Sequence, residues 1–400
     1  MTRKSLLVLI IAILVCSLQI SFGQSSYTEY VQNGNGARAA GMGYAFTGLA
    51  DDATAISWNS AGLTQLYSPE ASVIARFGWG STTPEFSDPS YTVDVTSGSK
   101  FQLNFASLAV PFNAGNLNVV GGVAYRRIYD FTMKNTVKIG LPDFNYEGTL
   151  ETDNSGGVDA ISPAVGIQFN EMFSAGVTAN ILMGSTDYKD SYMENMDLLG
   201  SYEDKYSEEY SGVGFDIGIL VKASPQFQLG ANLNLPASVN ITEKYPGYSD
   251  YEYKLKVPFF YSIGAAYRAS DNVTIAADYH ARPWSNAKVE SDGEEYDLTG
   301  VENANSFHAG IEYLAQAGDN VMPLRIGFYT VPTPGTDDKG DQIILNTVTA
   351  GLGLIMGNII LDGAFEYRFG SYSWDQTENI DAKEANFGIT VGGTIHFGKD

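Results

Sequence analysis

Hydrophobic and polar residues alternate along most of the chain with a period of two, which is the pattern of β-strands with one apolar and one polar face. In residues 358–370, for example, Leu361 and Phe365 fall on one face, and Asp362 and Glu366 fall on the other. The pattern predicts strands at 70–80, 99–110, 117–128, 158–169, 172–186, 211–222, 225–235, 254–268, 272–281, 304–314, 321–331, 343–356, 358–369 and 384–397. Strands of this length suit a tilted membrane crossing, which needs about 9 to 11 residues, better than ordinary globular sheets of about five or six. We therefore predict an all-β, fourteen-stranded antiparallel transmembrane β-barrel.

The predicted connections alternate in length as regularly as the side chains alternate in polarity. Short turns follow the even strands, and longer loops follow the odd strands, at 81–98, 129–157, 187–210, 236–253, 282–303, 332–342 and 370–383. Short periplasmic turns and long outer loops are typical of outer-membrane barrels. The pattern predicts the outer membrane of a Gram-negative bacterium as the location.

The two faces of the predicted strands differ in charge. The inferred lipid face is uncharged at Phe77, Trp79, Phe215, Ile217, Phe259, Tyr261, Leu324, Ile326, Ile389 and Ile395. The opposite face carries four arginines that could bind a carboxylate: Arg126, Arg268, Arg325 and Arg368. Their alternative role is to pair with lumenal acids such as Glu312 and Asp362. His280, His308 and His396 share the lumenal face, where polar lining is the favoured interpretation.

Acidic residues outnumber basic ones by 46 to 23, giving a formal charge of −23. No basic surface is left to neutralise phosphates, so nucleic acid is excluded as a partner. Most of the acids fall in the long loops, where they either keep the rim solvated or bridge through divalent cations to lipopolysaccharide. No pattern indicates a catalytic site, a metal site or a cofactor.

The N-terminus has the pattern of a secretory signal peptide over residues 1–23, with Arg3 and Lys4 before a short apolar run. Cys16, the single cysteine, is removed with it. At the other end, residues 70–400 form the barrel, and Phe397 supplies the terminal aromatic that the outer-membrane barrel assembly machinery reads during biogenesis. The outer-membrane lipid is the expected surroundings of the mature barrel.

Residues 24–69 have no barrel periodicity but contain aromatic side chains, among them Phe46 and Trp58. A periplasmic tail would expose these groups to water at a cost of about 1.5 to 3 kcal/mol each. We therefore predict that this segment, the hatch, packs inside the barrel lumen and plugs it.

The hatch contains Gly41-Met42-Gly43, Ala50-Asp51-Asp52-Ala53 and Asn59-Ser60-Ala61-Gly62. This succession resembles the N-terminal hatch of the FadL-type outer-membrane transporters of long-chain fatty acids and other hydrophobic compounds. The family has Asn-Pro-Ala where this chain has Asn59-Ser60-Ala61, so a proline that would stiffen the turn is absent. The resemblance points to gate residues within the hatch: Gly41, Gly43, Asp51, Asp52, Asn59 and Gly62.

The resemblance implies passive transport of hydrophobic small molecules such as fatty acids, with no enzymatic activity. Phe46, Trp58 and the four lumenal arginines are the expected ligand-binding residues. Related barrels with the same opening motif include a component of a Bacteroidetes-type secretion system, so the alternative is a barrel that shuttles or anchors secreted proteins.

A lateral opening in the barrel wall is predicted where the strand chemistry is weakest. Gly121 and Gly122 weaken a strand interior, and Pro163 cannot donate a ladder hydrogen bond. Pairing across the predicted loop places residue 123 close to Pro163, so that both defects coincide. The alternative is a harmless bulge.

Overall fold

The computed structural model describes residues 35–85, 92–196, 200–298, 300–318, 320–375 and 380–398. The predicted signal peptide and residues 24–34 of the predicted hatch lie outside these ranges. Within them, no helix combines the length and the apolar character needed to cross a membrane.

Nineteen strand segments form a single antiparallel sheet. They are β1 Glu70–Glu85, β2 Thr92–Ala114, β3 Leu117–Asp130, β4 Met133–Leu141, β5 Tyr146–Gln168, β6 Phe173–Glu194, β7 Tyr202–Lys222, β8 Phe227–Asn234, β9 Ala237–Lys244, β10 Tyr251–Val257, β11 Phe260–Ser270, β12 Val273–Ala281, β13 Lys288–Ser291, β14 Glu294–Asp297, β15 Ser306–Ala317, β16 Asn320–Thr336, β17 Gln342–Met356, β18 Ile359–Asp375 and β19 Ile380–His396. The sheet closes on itself because β1 pairs with both β2 and β19.

The nineteen segments make fourteen barrel strands, because five strands are each divided in two. The divided strands are the third (β3 and β4), the seventh (β8 and β9), the eighth (β10 and β11), the ninth (β12 and β13) and the tenth (β14 and β15). The remaining nine segments each form one strand, so that β5, β6 and β7 are the fourth to sixth strands. The predicted fourteen-stranded antiparallel barrel is confirmed.

Long loops were predicted after the odd-numbered strands. This prediction is wrong for much of the length of those segments. β5, β6 and β7 have 23, 22 and 21 residues, so their ladders continue through segments 146–157, 187–194 and 202–210. Cross-strand pairs support this extension, including the stacked rings of Tyr188 and Tyr206, whose centroids are 4.4 Å apart. The polar character of these residues reflects water outside the membrane and not the absence of strand pairing.

The outer and inner faces have the predicted polarity. Phe215 and Ile326 are 47% and 62% exposed on the outside, whereas Glu312 and Arg325 are buried inside. An uninterrupted band of exposed apolar side chains is stable only against lipid. The closed barrel is therefore a transmembrane barrel.

The hatch lies inside the barrel and is built from three short helices. These are α1 Ala37–Gly41, α2 Ala55–Trp58 and a 3-10 helix over Ser60–Gln65. Their small and apolar side chains form the centre of the hydrophobic core together with residues of the barrel wall. Two further 3-10 turns, Pro142–Phe144 and Trp284–Asn286, belong to the barrel connections.

Candidate functional site in the barrel lumen

Ten inward-facing glycines, here called the glycine belt, bring the barrel wall into direct contact with the hatch. A Cβ on Gly176, for example, would lie 2.5 Å from the carbonyl carbon of Ser60 and 2.6 Å from the amide nitrogen of Ala61. A Cβ on any member of the belt would lie within 3.2 Å of a hatch atom. The ten members are Gly122, Gly166, Gly176, Gly218, Gly230, Gly264, Gly310, Gly327, Gly351 and Gly392. The hatch therefore fills the lumen at this level because the wall presents backbone in place of side chains.

The two glycines of the Gly41-Met42-Gly43 motif lie against this wall. A Cβ on Gly41 would lie 3.0 Å from Cα of Gly351, and one on Gly43 would lie 2.6 Å from the amide nitrogen of Phe328. Gly43 also has a φ of 61°, which favours glycine. The motif thus serves close packing of the hatch against the barrel.

Asn59 and Gly62, the next predicted hatch residues, hold the turn that replaces Asn-Pro-Ala. The Asn59 side chain accepts from the amide of Ala61 and donates to the carbonyls of Thr47 and Ile219, at 3.2, 3.1 and 2.9 Å. Gly62 lies against the backbone of Ala50, where a side chain would clash. Asn59 therefore fastens the hatch turn both to the rest of the hatch and to the wall.

An ion network attaches the other end of the hatch to the barrel. The Arg38 guanidinium donates to both oxygens of Glu312 at 2.9 Å and to Asp51 at 2.6 Å. Arg325 donates to the same Glu312 at 2.7 Å and to Asp362 at 2.6 Å. Arg325, predicted to bind ligand, is thus engaged by two carboxylates in the structural role that was the alternative.

Asp52 lies beside this network and orders the chain before α2. Its Oδ1 accepts from the amide of Thr54 at 2.9 Å. Burial raises the pKa of Asp52 to about 6, although the neighbouring charge of Arg38 acts in the opposite direction. The carboxyl group is thus set to titrate close to neutral pH.

Lumenal histidines and Asp278 contact the middle of the hatch. Asp278 accepts from the amides of Phe46 and Thr47 at 2.8 and 2.7 Å. Because a carbonyl can only accept, Nδ1 of His308 donates to Gly43 O at 2.8 Å, and the ring stacks on His280 with 4.3 Å between centroids. His280 and His308 thus line the lumen as predicted; His308 binds hatch backbone, and His280 contacts the side chain of Thr47.

The cavity beside Trp58, here called the aromatic chamber, has a volume of about 120 Å³. Its lining includes the rings of Trp58, Tyr129 and Phe260 and the charged side chains of Arg126 and Asp216. Trp58 and Arg126 were both predicted as ligand-binding residues, and the structure brings them together here. The chamber can hold a small amphipathic molecule, with its apolar part on the rings and its polar part on the charges.

Arg282 also lines the aromatic chamber and was missed by the sequence analysis. Its Nη1 donates to the carbonyls of Tyr261 and Ala281 at 3.3 and 3.1 Å, and its guanidinium lies 5.4 Å from the ring centroid of Phe260. Arg126, in contrast, lies 3.7 Å from Asp216. Among the described residues, no carboxylate lies within ion-pair distance of Arg282, although Asp216 acts on its charge from further away. Arg282 lies in a segment predicted to be a loop, where the alternation of side chains cannot indicate which residues face the lumen.

The remaining predicted ligand residues do not join this chamber. Phe46 is fully buried 6.0 Å from the Trp58 ring, and the Arg38 guanidinium lies 5.5 Å from the Phe46 centroid. Arg268 lines a cavity of about 480 Å³ between the hatch and the short turns. Arg368 lines a third cavity of about 140 Å³, which shares no lining residue with the aromatic chamber. The structure therefore distributes the predicted set among separate places.

The lateral opening was predicted at Gly121, Gly122 and Pro163, and the structure shows how these residues pair with their neighbours. Val123 pairs with Pro163, which confirms the predicted register. Gly121 and Gly122, however, pair regularly on both sides, with β2 and with β5. Gly122 lacks a side chain where Ile56 of the hatch approaches to 3.0 Å from the position of a Cβ.

The register of this wall is interrupted further along the strands. Residues 105–114 of β2 pair with 117–126, and pairing resumes between 92–97 and 135–140, where the third strand has gained one residue. The cavity of about 140 Å³ is lined from both edges of this interruption, by Gln102 on β2 and Asp130 and Met133 on the third strand. The Gln102 amide donates to Asp130 across it. The irregularity therefore lies beside a cavity and away from the two glycines.

Among the described residues, no three His, Cys, Asp or Glu side chains are grouped so that they could hold a metal ion. No protein-family model and no curated protein sequence matches the chain.

Solved structures with the same architecture are similar over nearly the whole chain. A FadL homologue of Pseudomonas aeruginosa has 14% identity and a TM-score of 0.63, covering 92% of this chain and 100% of its own. The toluene transporter TodX of Pseudomonas putida has 11% identity and a TM-score of 0.61, with coverages of 92% and 100%. The toluene transporter TbuX of Ralstonia pickettii has 14% identity and a TM-score of 0.58, with coverages of 92% and 99%. Closed transmembrane β-barrels with this alternation of apolar and polar faces are typical of bacterial outer membranes, which agrees with the location predicted from the sequence. The chain therefore has the fold of the FadL-type barrels, with fourteen strands around an internal hatch.

Proposed function

We propose that the protein carries hydrophobic small molecules passively across the outer membrane. The observation that carries the proposal is the aromatic chamber beside Trp58, enclosed by a barrel whose lumen the hatch fills. The fold is shared with a FadL homologue and with two toluene transporters. Long-chain fatty acids are one substrate class of the proposal, and compact hydrocarbons are another.

The glycine belt argues against an open, water-filled pore. An open pore offers an apolar solute no gain over bulk water, whereas burial is worth about 0.8 kcal/mol for each methylene group. The hatch contacts ten glycines of the wall. The space that remains in the lumen is divided into separate cavities, and the aromatic chamber shares no lining residue with the cavity beside the short turns. Such a barrel favours solutes that gain energy from apolar burial.

The size and polarity of the aromatic chamber restrict what it can hold with the hatch in place. Its volume of about 120 Å³ is close to the roughly 150 Å³ of an engineered apolar cavity that binds benzene. One aromatic ring or a short acyl segment fits, while a complete long acyl chain requires the hatch or the wall to move. Arg282 would meet the carboxylate of a fatty acid, with Trp58 and Phe260 against the first methylene groups.

For release, we propose a lateral route through the wall between β2 and the third strand. The cavity lined by Gln102 and Asp130 lies at the interrupted register, and Phe101 outside it is 72% exposed. An apolar solute that leaves sideways into lipid keeps its burial energy, which it would lose in the aqueous periplasm. The proposed release route therefore lies beside Gly121, Gly122 and Pro163, the residues predicted from the sequence, and not at them.

Uptake of radiolabelled toluene and palmitate by cells that lack their own transporters tests the proposal. We expect cells expressing the protein to take up both probes faster than cells with an empty vector. Leu182→Trp fills the chamber from β6 and should reduce uptake of both probes at least fivefold. Leu229→Trp is the matched control, because Leu229 is exposed on the lipid face.

A second variant separates head-group recognition from space filling. Arg282→Met removes the charge without adding bulk, so palmitate uptake should fall more than toluene uptake. Equal uptake by wild-type and vector cells would refute transport and favour the shuttle or anchor for secreted proteins. Equal uptake by wild type and Leu182→Trp, with both barrels folded, would refute the role of the chamber.

A further inference from the structure

Four neighbouring barrel strands, the seventh to the tenth, are interrupted at the same level. Between the paired rungs Asn234↔Phe260 and Ala237↔Val257, the seventh and eighth strands each contain two residues outside the ladder. The ninth strand is interrupted between Ala281 and Lys288, and the tenth between residues 297 and 306. We call the part on the seventh and eighth strands the proline seam, because Pro236 and Pro258 lie directly across it.

An inserted residue accounts for the geometry of the seam. Relative to β7, the seventh strand gains one residue between Asn234 and Ser238, so its inward face changes parity. Asn232 is buried inside before the seam, whereas Val239 and Ile241 are buried inside after it. The eighth strand changes parity in the same way, so that the two strands remain in register with each other. This is the behaviour of a β-bulge that extends over two strands.

Few backbone hydrogen bonds can hold the seam closed. The step between the flanking rungs spans three residues, or about 10 Å along the strands. Pro236 and Pro258 have no amide hydrogen, and the amide of Leu235 donates to Phe215 O on β7 at 2.9 Å. Only the amide of Phe259 is left to bond between the seventh and eighth strands within this step.

The aromatic chamber lies directly behind the seam. Its lining includes Leu235 and Pro258 of the seam itself, together with Phe215 on the neighbouring β7. Leu235 and Phe215 are also exposed on the outside of the barrel, at 37% and 47%. The same residues therefore border the lumenal chamber and the lipid-facing surface, so the wall between the two is one residue thick here.

The seam lies at the outer edge of the apolar band. On the side of the short turns, the outer surface carries Leu229 and Ile263, both exposed. On the other side, Lys254 and Lys256 form ion pairs with Glu290 at 2.8 and 2.7 Å. This change from apolar to charged side chains marks the boundary between the hydrocarbon and the polar region of the outer leaflet.

We propose that the proline seam is a side entrance through which an amphipathic hydrophobic molecule passes from the outer leaflet into the aromatic chamber. The inference rests on the proposed function and adds a route of access distinct from the release route at β2. A molecule already dissolved at the membrane surface would reach Trp58 and Arg282 without first returning to water. Its polar group would lie at the level of the lipid head groups when it enters.

A reversible disulfide across the seam tests this route. Leu235→Cys with Phe259→Cys places two thiols opposite each other on the outer surface, and the only native cysteine, Cys16, lies in the predicted signal peptide. The matched control is Ala231→Cys with Ile263→Cys, a regular pair on the same two strands. Uptake of radiolabelled palmitate is measured after oxidation and again after reduction, with cross-linking verified by peptide mass spectrometry.

We expect oxidation to slow palmitate uptake at least fivefold in the seam pair, with recovery after reduction, and to leave the control pair unchanged. Full uptake by the completely cross-linked seam pair would overturn the side entrance, while wild-type uptake above vector would leave the proposed function intact. Pro236→Thr with Pro258→Thr supplies the two missing amide hydrogens and needs no oxidation. Unchanged uptake by this folded variant would likewise overturn the proposal.

Discussion

Gly176→Ala should displace the hatch, because it adds a methyl group where wall and hatch backbones touch. The new Cβ would lie 2.5 Å from Ser60 C and 2.6 Å from Ala61 N, where ordinary contacts are 3.4–4 Å. The neighbours are backbone atoms in a turn that Asn59 fastens, so they cannot rotate away as a flexible side chain would. Overpacking of this kind typically costs about 1 to 3 kcal/mol. Since each 1.4 kcal/mol is about tenfold, the population with a displaced hatch should rise about 5- to 150-fold.

Single-channel conductance in planar bilayers measures this displacement, and the unfolding temperature measures its cost. We expect more frequent openings to small ions and a lower unfolding temperature for Gly176→Ala. Gly363→Ala is the matched control on β18, because nothing lies within 4 Å of its Cβ position. The reasoning is refuted if both variants behave like the wild type in conductance and unfolding, since the belt would then not depend on the absence of side chains.

Three further predictions concern topology, the hatch turn and pH. A single cysteine at Ser201 should react with an impermeant maleimide on intact cells, and one at Asp271 should not; the reverse labelling would invert the assigned orientation. Ser60→Pro should stabilise the protein by about 0.4 to 1 kcal/mol, because the preceding residue is extended and the buried Ser60 Oγ has no partner among the described residues. Thermal unfolding measures this effect, and a lower unfolding temperature would contradict the prediction. The pKa of Asp52 is raised from 3.8 to about 6 in the folded protein. The resulting stabilisation of the folded state is complete below pH 3.8 and is lost as the pH rises through 6. Wild-type unfolding temperature should therefore fall from pH 4 to pH 7 more than that of Asp52→Asn, and equal slopes would exclude this role of Asp52.

The strand number and the position of the hatch could be predicted from sequence because both depend on local patterns. A strand that separates lipid from lumen must alternate its side chains, whichever strands it pairs with, so Leu361 and Asp362 alone indicate opposite faces. The aromatic groups of Phe46 and Trp58 could be assigned to the lumen because a tail in the periplasm would expose them to water, whereas the inside of the barrel shields them. The outer strand extensions were missed because charged residues such as Lys205 and Glu203 look the same in a paired strand and in a loop when water surrounds both.

The roles of individual lumenal residues depended on the tertiary structure. Arg325 and Arg282 are equally cationic in the sequence, yet Arg325 meets Glu312 and Asp362, while Arg282 faces the aromatic chamber. Such differences arise from the registers of strands that are far apart in the chain, and a shift of one residue reverses which face a side chain occupies. For the same reason, sequence alone marked Gly122 as a weak point in the wall, whereas the position of Ile56 shows that it makes room for the hatch. Local alternation determined the barrel, and the long-range register decided which of its residues hold the hatch and which line the cavities.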